Sequence, residues 1–161
     1  MAKNFGIARI ILLLMLGALV ILIFMPAIGL WSGSPGSAGA VYFLFSPFCH
    51  QLGPRSLQLA GLPLAVCARC AGVYFGLFTG AAFFTFLSRR PSRMIFPAMI
   101  LIATDGMLNA LSIIDTPAAA RFLIGLAFGF FSGGLLGSGV FDLEKMLGKH
   151  EEGKWKTGDT I

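Results

Sequence analysis

Three cysteines and one of the two histidines form the only chemically distinctive cluster in this chain. They stand as Cys49-His50, then sixteen residues, then Cys67-Ala68-Arg69-Cys70. Three thiolates and an imidazole are a standard zinc set, and a Cys-x2-Cys pair on one helical face can grip an ion from two sides. The adjacent Cys49 and His50 need an irregular backbone to ligate together, which Gly53-Pro54 allows. Four protein ligands leave no open position, which points to a structural rather than a catalytic ion. Copper(I) or iron would also suit soft thiolates. The same Cys-x2-Cys is alternatively a redox pair. Arg69 and a helix N-terminus would both lower a thiol pKa there, and Cys49 would be a resolving thiol. Three cysteines form no even disulfide framework, so one thiol stays free, pairs between chains or binds something. His150, beside Glu151 and Glu152, reads as a solvated tail residue.

The elements that position this cluster belong to a membrane. Of the 161 residues 57% are hydrophobic and only 12% charged, against roughly 25% charged in a soluble domain. Such a chain cannot cover itself with polar surface, so part of its solvent is lipid. The net charge of +5 does not indicate nucleic acid, because the basic residues sit at segment ends rather than on one dense face. The expected fold class is all-α: a polytopic membrane helix bundle of about four transmembrane helices plus a short interfacial or re-entrant segment.

The spans are expected near residues 10–28, 64–87, 94–114 and 122–141. The first is read as a retained span rather than a signal peptide, because its apolar run exceeds the roughly 7–15 residues of a signal core. Residues 31–39 (WSGSPGSAG) read as a flexible loop. Residues 40–48 (AVYFLFSPF) are apolar but too short to cross a hydrocarbon core about 30 Å thick, so they lead as an interfacial segment into a site loop over 40–63. Residues 1–141 make the membrane domain, and 142–161 a soluble cytoplasmic tail. With the N-terminus inside, Lys3, Arg9, Arg89, Arg90, Arg93 and the four tail lysines are cytoplasmic, and only Arg55, Arg69 and Arg121 lie outside. That positive-inside asymmetry predicts a multi-pass inner-membrane protein with both termini cytoplasmic and the cysteines on the extracytoplasmic face.

Two glycine ladders suggest how the spans pack. Gly72, Gly76 and Gly80 repeat every four residues on the second span, and Gly125, Gly129, Gly133 and Gly137 on the fourth. Small residues at this spacing let helix backbones approach closely in lipid. Spans two and four are expected to touch along them; a homo-oligomer through one ladder is the other use. Cys67, Cys70 and Tyr74 are expected on the opposite face of span two. Asp105 stands near the middle of span three, with Asn109 a turn beyond. A carboxylate there costs about 2.5–3.5 kcal/mol on insertion scales and faces a bundle interior. It is read as a functional group within reach of Tyr74, with a structural contact to Tyr74 or an arginine as the plainer use. Arg55, Arg69 and Arg121 at the outer interface could hold an anionic lipid or small substrate bidentately, or anchor helix ends and pair with Asp105 and Asp115.

The cluster resembles a family of small bacterial and archaeal integral membrane proteins of unassigned activity. Its marks are Cys-His-Gln, a following Arg-Ser, and Cys-x-Arg-Cys-x-Gly-x-Tyr. Here they read Cys49-His50-Gln51, Arg55-Ser56, and Cys67-Ala68-Arg69-Cys70-Ala71-Gly72-Val73-Tyr74. Asp105-Gly106 and Arg121 also match, while Asn109 stands where the family often has Gln. The resemblance implies a shared site and adds Gln51 and Ser56 to the polar candidates; it supplies no activity. No nucleotide loop, serine triad or metalloprotease helix motif is present.

Overall fold

The computed structural model describes residues 6–33, 35–49, 51, 56–59, 61–87, 92–111 and 116–156, with backbone alone at 35, 37, 85–87, 92–94, 110 and 147–156. It is mostly helical. Helix α1 (Ile7–Trp31) and helix α2 (Pro35–Phe45) precede a hairpin of β1 (Ser56–Leu59) and β2 (Leu62–Cys67). Helices α3 (Ala68–Leu87), α4 (Ser92–Ala110) and α5 (Ala118–Lys156) follow. Among the described residues, α1 and the Ala118–Met146 stretch of α5 are long and apolar enough to cross a membrane. The apolar stretches of α3 and α4, Ala68–Phe84 and Ile95–Asn109, are shorter.

Four boundaries differ from the sequence expectation. The loop expected over 31–39 is mostly helix: α1 continues through Trp31, and α2 begins at Pro35, a residue whose fixed φ suits the first helical position. Span two does not begin at residue 64. Residues 62–67 pair as a strand instead, so the fold is not purely α. A short apolar run gives no periodicity that separates a strand from a buried helix, and Leu64, Ala65 and Val66 are all buried. Gly61, at φ +81°, takes the left-handed turn that lets Leu59 face Leu62 across the hairpin. Span three stops at Ala110, and α5 carries the tail's charged residues on as helix to Lys156.

Helices α3 and α5 interlock through both glycine ladders. A Cβ at Gly72, Gly76 or Gly80 would run into the backbone carbonyls of Phe122, Leu126 and Phe130. One at Gly125, Gly129 or Gly133 would meet those of Arg69, Val73 and Leu77. Gly137 is buried one turn further on. Both sets of partners ascend together, so the two helices run parallel and α4 is the return stroke between them. Helix α1 runs the other way: Arg9 meets Glu144, Gly17 faces Phe78, and the Phe24 ring sits edge-on to Phe75. A small core joins Ile23 and Ala27 of α1 to Val41, Phe45, Cys49, the β2 residues 64–66 and Ala71. That core seats the thiols at the head of α3.

Candidate metal centre

Helix α2 ends at Phe45, and its last carbonyls must find donors. The N–H groups of Phe48 and Cys49 both reach the Phe45 carbonyl, at 3.1 and 3.0 Å. Gln51, held at φ +49°, folds back so that its Nε2 donates to the Tyr42 carbonyl at 2.7 Å. The Tyr42 hydroxyl in turn donates to the Pro63 carbonyl at 2.8 Å, tying α2 to the hairpin. This return turn carries Cys49 to the end of β2. There Cys67 is the last strand residue, opposite Ser56 in the register, and Cys70 lies in the first turn of α3.

The sulfurs of Cys49, Cys67 and Cys70 lie within 4.8 Å of one another. All three are free thiols; Cys49 is buried and the other two are half-buried. The Cys67 N–H donates to Cys49 Sγ at 3.2 Å, and the Gln51 N–H does the same. Hydrogen bonds from the Cys67 and Cys70 thiols, reinforced by these two amides, hold the Cys49 thiol well below the ordinary thiol range against the opposing effect of burial. Backbone donors aimed at a sulfur stabilise a thiolate ligand from outside its coordination sphere. The set therefore fits a soft or borderline cation on chemical grounds. His50 and Arg55 lie outside the described residues, as does Asp115. Ser56 is buried on β1. Tyr74 packs its ring edge-on to Phe45, with centroids 5.8 Å apart.

Cys67 and Cys70 do not share a helical face, because Cys67 precedes the helix; the strand end and the first helical turn bring them together instead. Asp105 is not partnered with Tyr74. Arg69, between the two cysteines, pairs its Nη2 with Asp105 Oδ2 across α3 and α4. Asp105 Oδ1 accepts from Asn109 Nδ2 and Thr116 Oγ1, both at 2.9 Å. Arg121 Nη2 donates to Asn109 Oδ1 at 2.6 Å. Asp105, Asn109 and Arg121 are only 7%, 6% and 5% exposed, so the Arg121 guanidinium lies inside the bundle, while Arg69, half-buried, turns its guanidinium onto Asp105. Thr116 was absent from the sequence candidates. The signal that marks it is a hydroxyl residue immediately before Pro117 and the start of α5.

A family match covers this site. The family described as Predicted membrane protein (DUF2085) matches residues 49–135, more than half of the chain. The chain belongs to this family. The matched stretch of DUF2085 opens on Cys49 and contains Cys67, Cys70, the Arg69–Asp105 pair and Arg121, but not α1. A relative in Methanocaldococcus jannaschii, the uncharacterized protein MJ1492, is 31% identical over 96 residues, covering 56% of this chain and 62% of that protein. The chain therefore spans less than two thirds of that relative's length. No solved structure matches the chain.

Proposed function

We propose that this DUF2085 protein is a four-span inner-membrane protein that holds one metal ion, zinc before copper or iron, at its extracytoplasmic face. Cys49, Cys67 and Cys70 are three of the ligands, and His50 is the fourth. The single observation that carries the reading is the convergence of three sulfurs from a turn, a strand end and a helix start, with two backbone amides aimed at one of them. Four protein ligands make the ion structural: it ties the turn after α2 to the head of α3. In the same reading α1, α3, α4 and α5 are the spans, residues 1–141 form the membrane domain, and the charged end of α5 is cytoplasmic.

Elemental analysis of detergent-purified protein tests this. Stoichiometric metal in the wild type, lost in Cys70→Ser, is the expected result. A metal-free protein with a Cys67–Cys70 disulfide in peptide mass analysis would replace it with the thiol–disulfide reading, which the same short sulfur separations favour. Reduced thiols with no metal would remove both. Capture of an anionic lipid or small substrate by outer arginines rests on Arg55, because Arg69 and Arg121 engage Asp105 and Asn109.

A further inference from the structure

Two of the three sulfurs are placed by one short piece of backbone. Cys67 ends β2, Ala68 opens α3, and Cys70 lies in its first turn. The first N–H groups of a helix have no partner within it, so the position of this turn depends on outside contacts. Ala68 and Ala71 are fully buried and apolar, which leaves Arg69 as the polar grip. Arg69 is held from two sides. Its carbonyl packs against α5 at Gly125. Its guanidinium crosses to α4, where Nη2 pairs with Asp105 and Nη1 would lie 3.7 Å from a Cβ added at Gly106. Among the described residues, α3 meets α4 through little else.

Asp105 is built as an anchor rather than as an open ligand site. Its Oδ1 accepts from Asn109 and Thr116, and its Oδ2 takes the Arg69 pair, so both oxygens are engaged. Asn109 Oδ1 accepts in turn from Arg121 Nη2 and from the Thr116 N–H, at 2.6 and 3.4 Å. The network thus ties α4 to α3 and to α5 at the thiol end. The Cys49 thiol is held down by hydrogen bonds from the other two thiols and from backbone amides, not by the Arg69 charge. Arg69 therefore acts on the cluster through position. We propose that Asp105 is a positioning residue for the metal centre: through Arg69 it fixes the first turn of α3 so that Cys67 and Cys70 face Cys49. Groups outside the coordination sphere that orient ligands change metal affinity about 10–100-fold when removed. Such coupling is reciprocal, so an ion on the thiols tightens α4 against α3. The inference rests on the metal reading under Proposed function and deepens it.

The test uses the full chain in detergent, stripped with a chelator and reloaded with zinc. Zinc affinity is measured by competition with a chromophoric chelator. Asp105→Asn keeps the shape of the side chain, but one amide cannot accept from Arg69 and from Asn109 and Thr116 at once. It should weaken zinc binding about 10–100-fold and reduce the thiolate charge-transfer absorption of the cobalt-loaded protein. Glu144→Gln loosens the opposite end of the bundle and should leave zinc affinity unchanged, which separates positioning from general loss of stability. In hydrogen exchange, zinc should raise the protection of the α4 amides from Asp105 to Ala110 in the wild type. That comparison needs no substitution, so it decides the matter even if Asp105→Asn fails to fold. Unchanged affinity in Asp105→Asn, an equal loss in Glu144→Gln, or α4 protection indifferent to zinc overturns the proposal while the metal reading stands. A wild type that takes up no zinc brings down both.

Discussion

At the scale of single residues, Arg69 connects more of the structure than any thiol does. It stands between Cys67 and Cys70, its guanidinium reaches Asp105 on α4, and its carbonyl lies against Gly125 of α5. Removing one partner of a fully buried ion pair costs about 3–5 kcal/mol; here Asp105 is buried but Arg69 is half-buried, so water screens part of the stranded charge and the cost falls below that range. Asp105→Ala should therefore lower the thermal midpoint in detergent. Arg69→Met with Asp105→Leu should recover part of that loss, because an apolar pair strands no charge. A double substitution as unstable as Asp105→Ala alone would mean that the Asn109 and Thr116 bonds, rather than the ion pair, hold α4. That Asp105 faces the bundle interior was legible in the sequence, since lipid leaves a mid-helix carboxylate no other place. Its partner was not: Tyr74 and the arginines are all in chain-order reach, and only the parallel docking of α3 and α5 decides that Arg69 arrives first.

At the scale of elements, the glycine ladders were readable because their spacing is a property of one helix at a time, and lipid selects small residues where helices meet. The hairpin was not readable. Pro63 through Cys67 is a short apolar run that joins directly onto an apolar helix, so its composition suits either a strand or a longer span. The ladders give a sharp contrast. Gly76→Ala places a methyl group 2.6 Å from the Phe130 nitrogen. It should push α3 from α5 at a cost of about 1–3 kcal/mol, seen as a lower midpoint in a detergent melt. Gly39→Ala on α2 meets nothing within 4 Å and should be neutral or stabilising by up to about 1 kcal/mol. Equal effects of the two would show that the close approach of α3 and α5 contributes little to stability.

At the scale of the whole molecule, the far end of the bundle is closed by Arg9. Its Nε lies 3.0 Å from Glu144 Oε2, and its guanidinium sits 4.3 Å above the Phe141 ring. Glu144→Gln should loosen α1 from α5, and protection of α1 backbone amides in hydrogen exchange should fall while the thiol end is unaffected. The four-span reading predicts that reporters fused after Gly33 and after the C-terminus lie on opposite sides of the membrane; the same side for both would require a different threading. The positive-inside asymmetry made that expectation available from sequence, whereas the half-buried Arg9–Glu144 pair joins positions far apart in the chain and has no local signature. The parallel arrangement of α3 and α5 also has a consequence for biogenesis. Every thiol of the cluster precedes the body of α3, whereas the glycines that lock α3 in place come from α5, later in the chain. During synthesis the thiols are thus complete while the helix beneath them still lacks its neighbour, and an ion captured then would hold the head of α3 in register until α5 arrives.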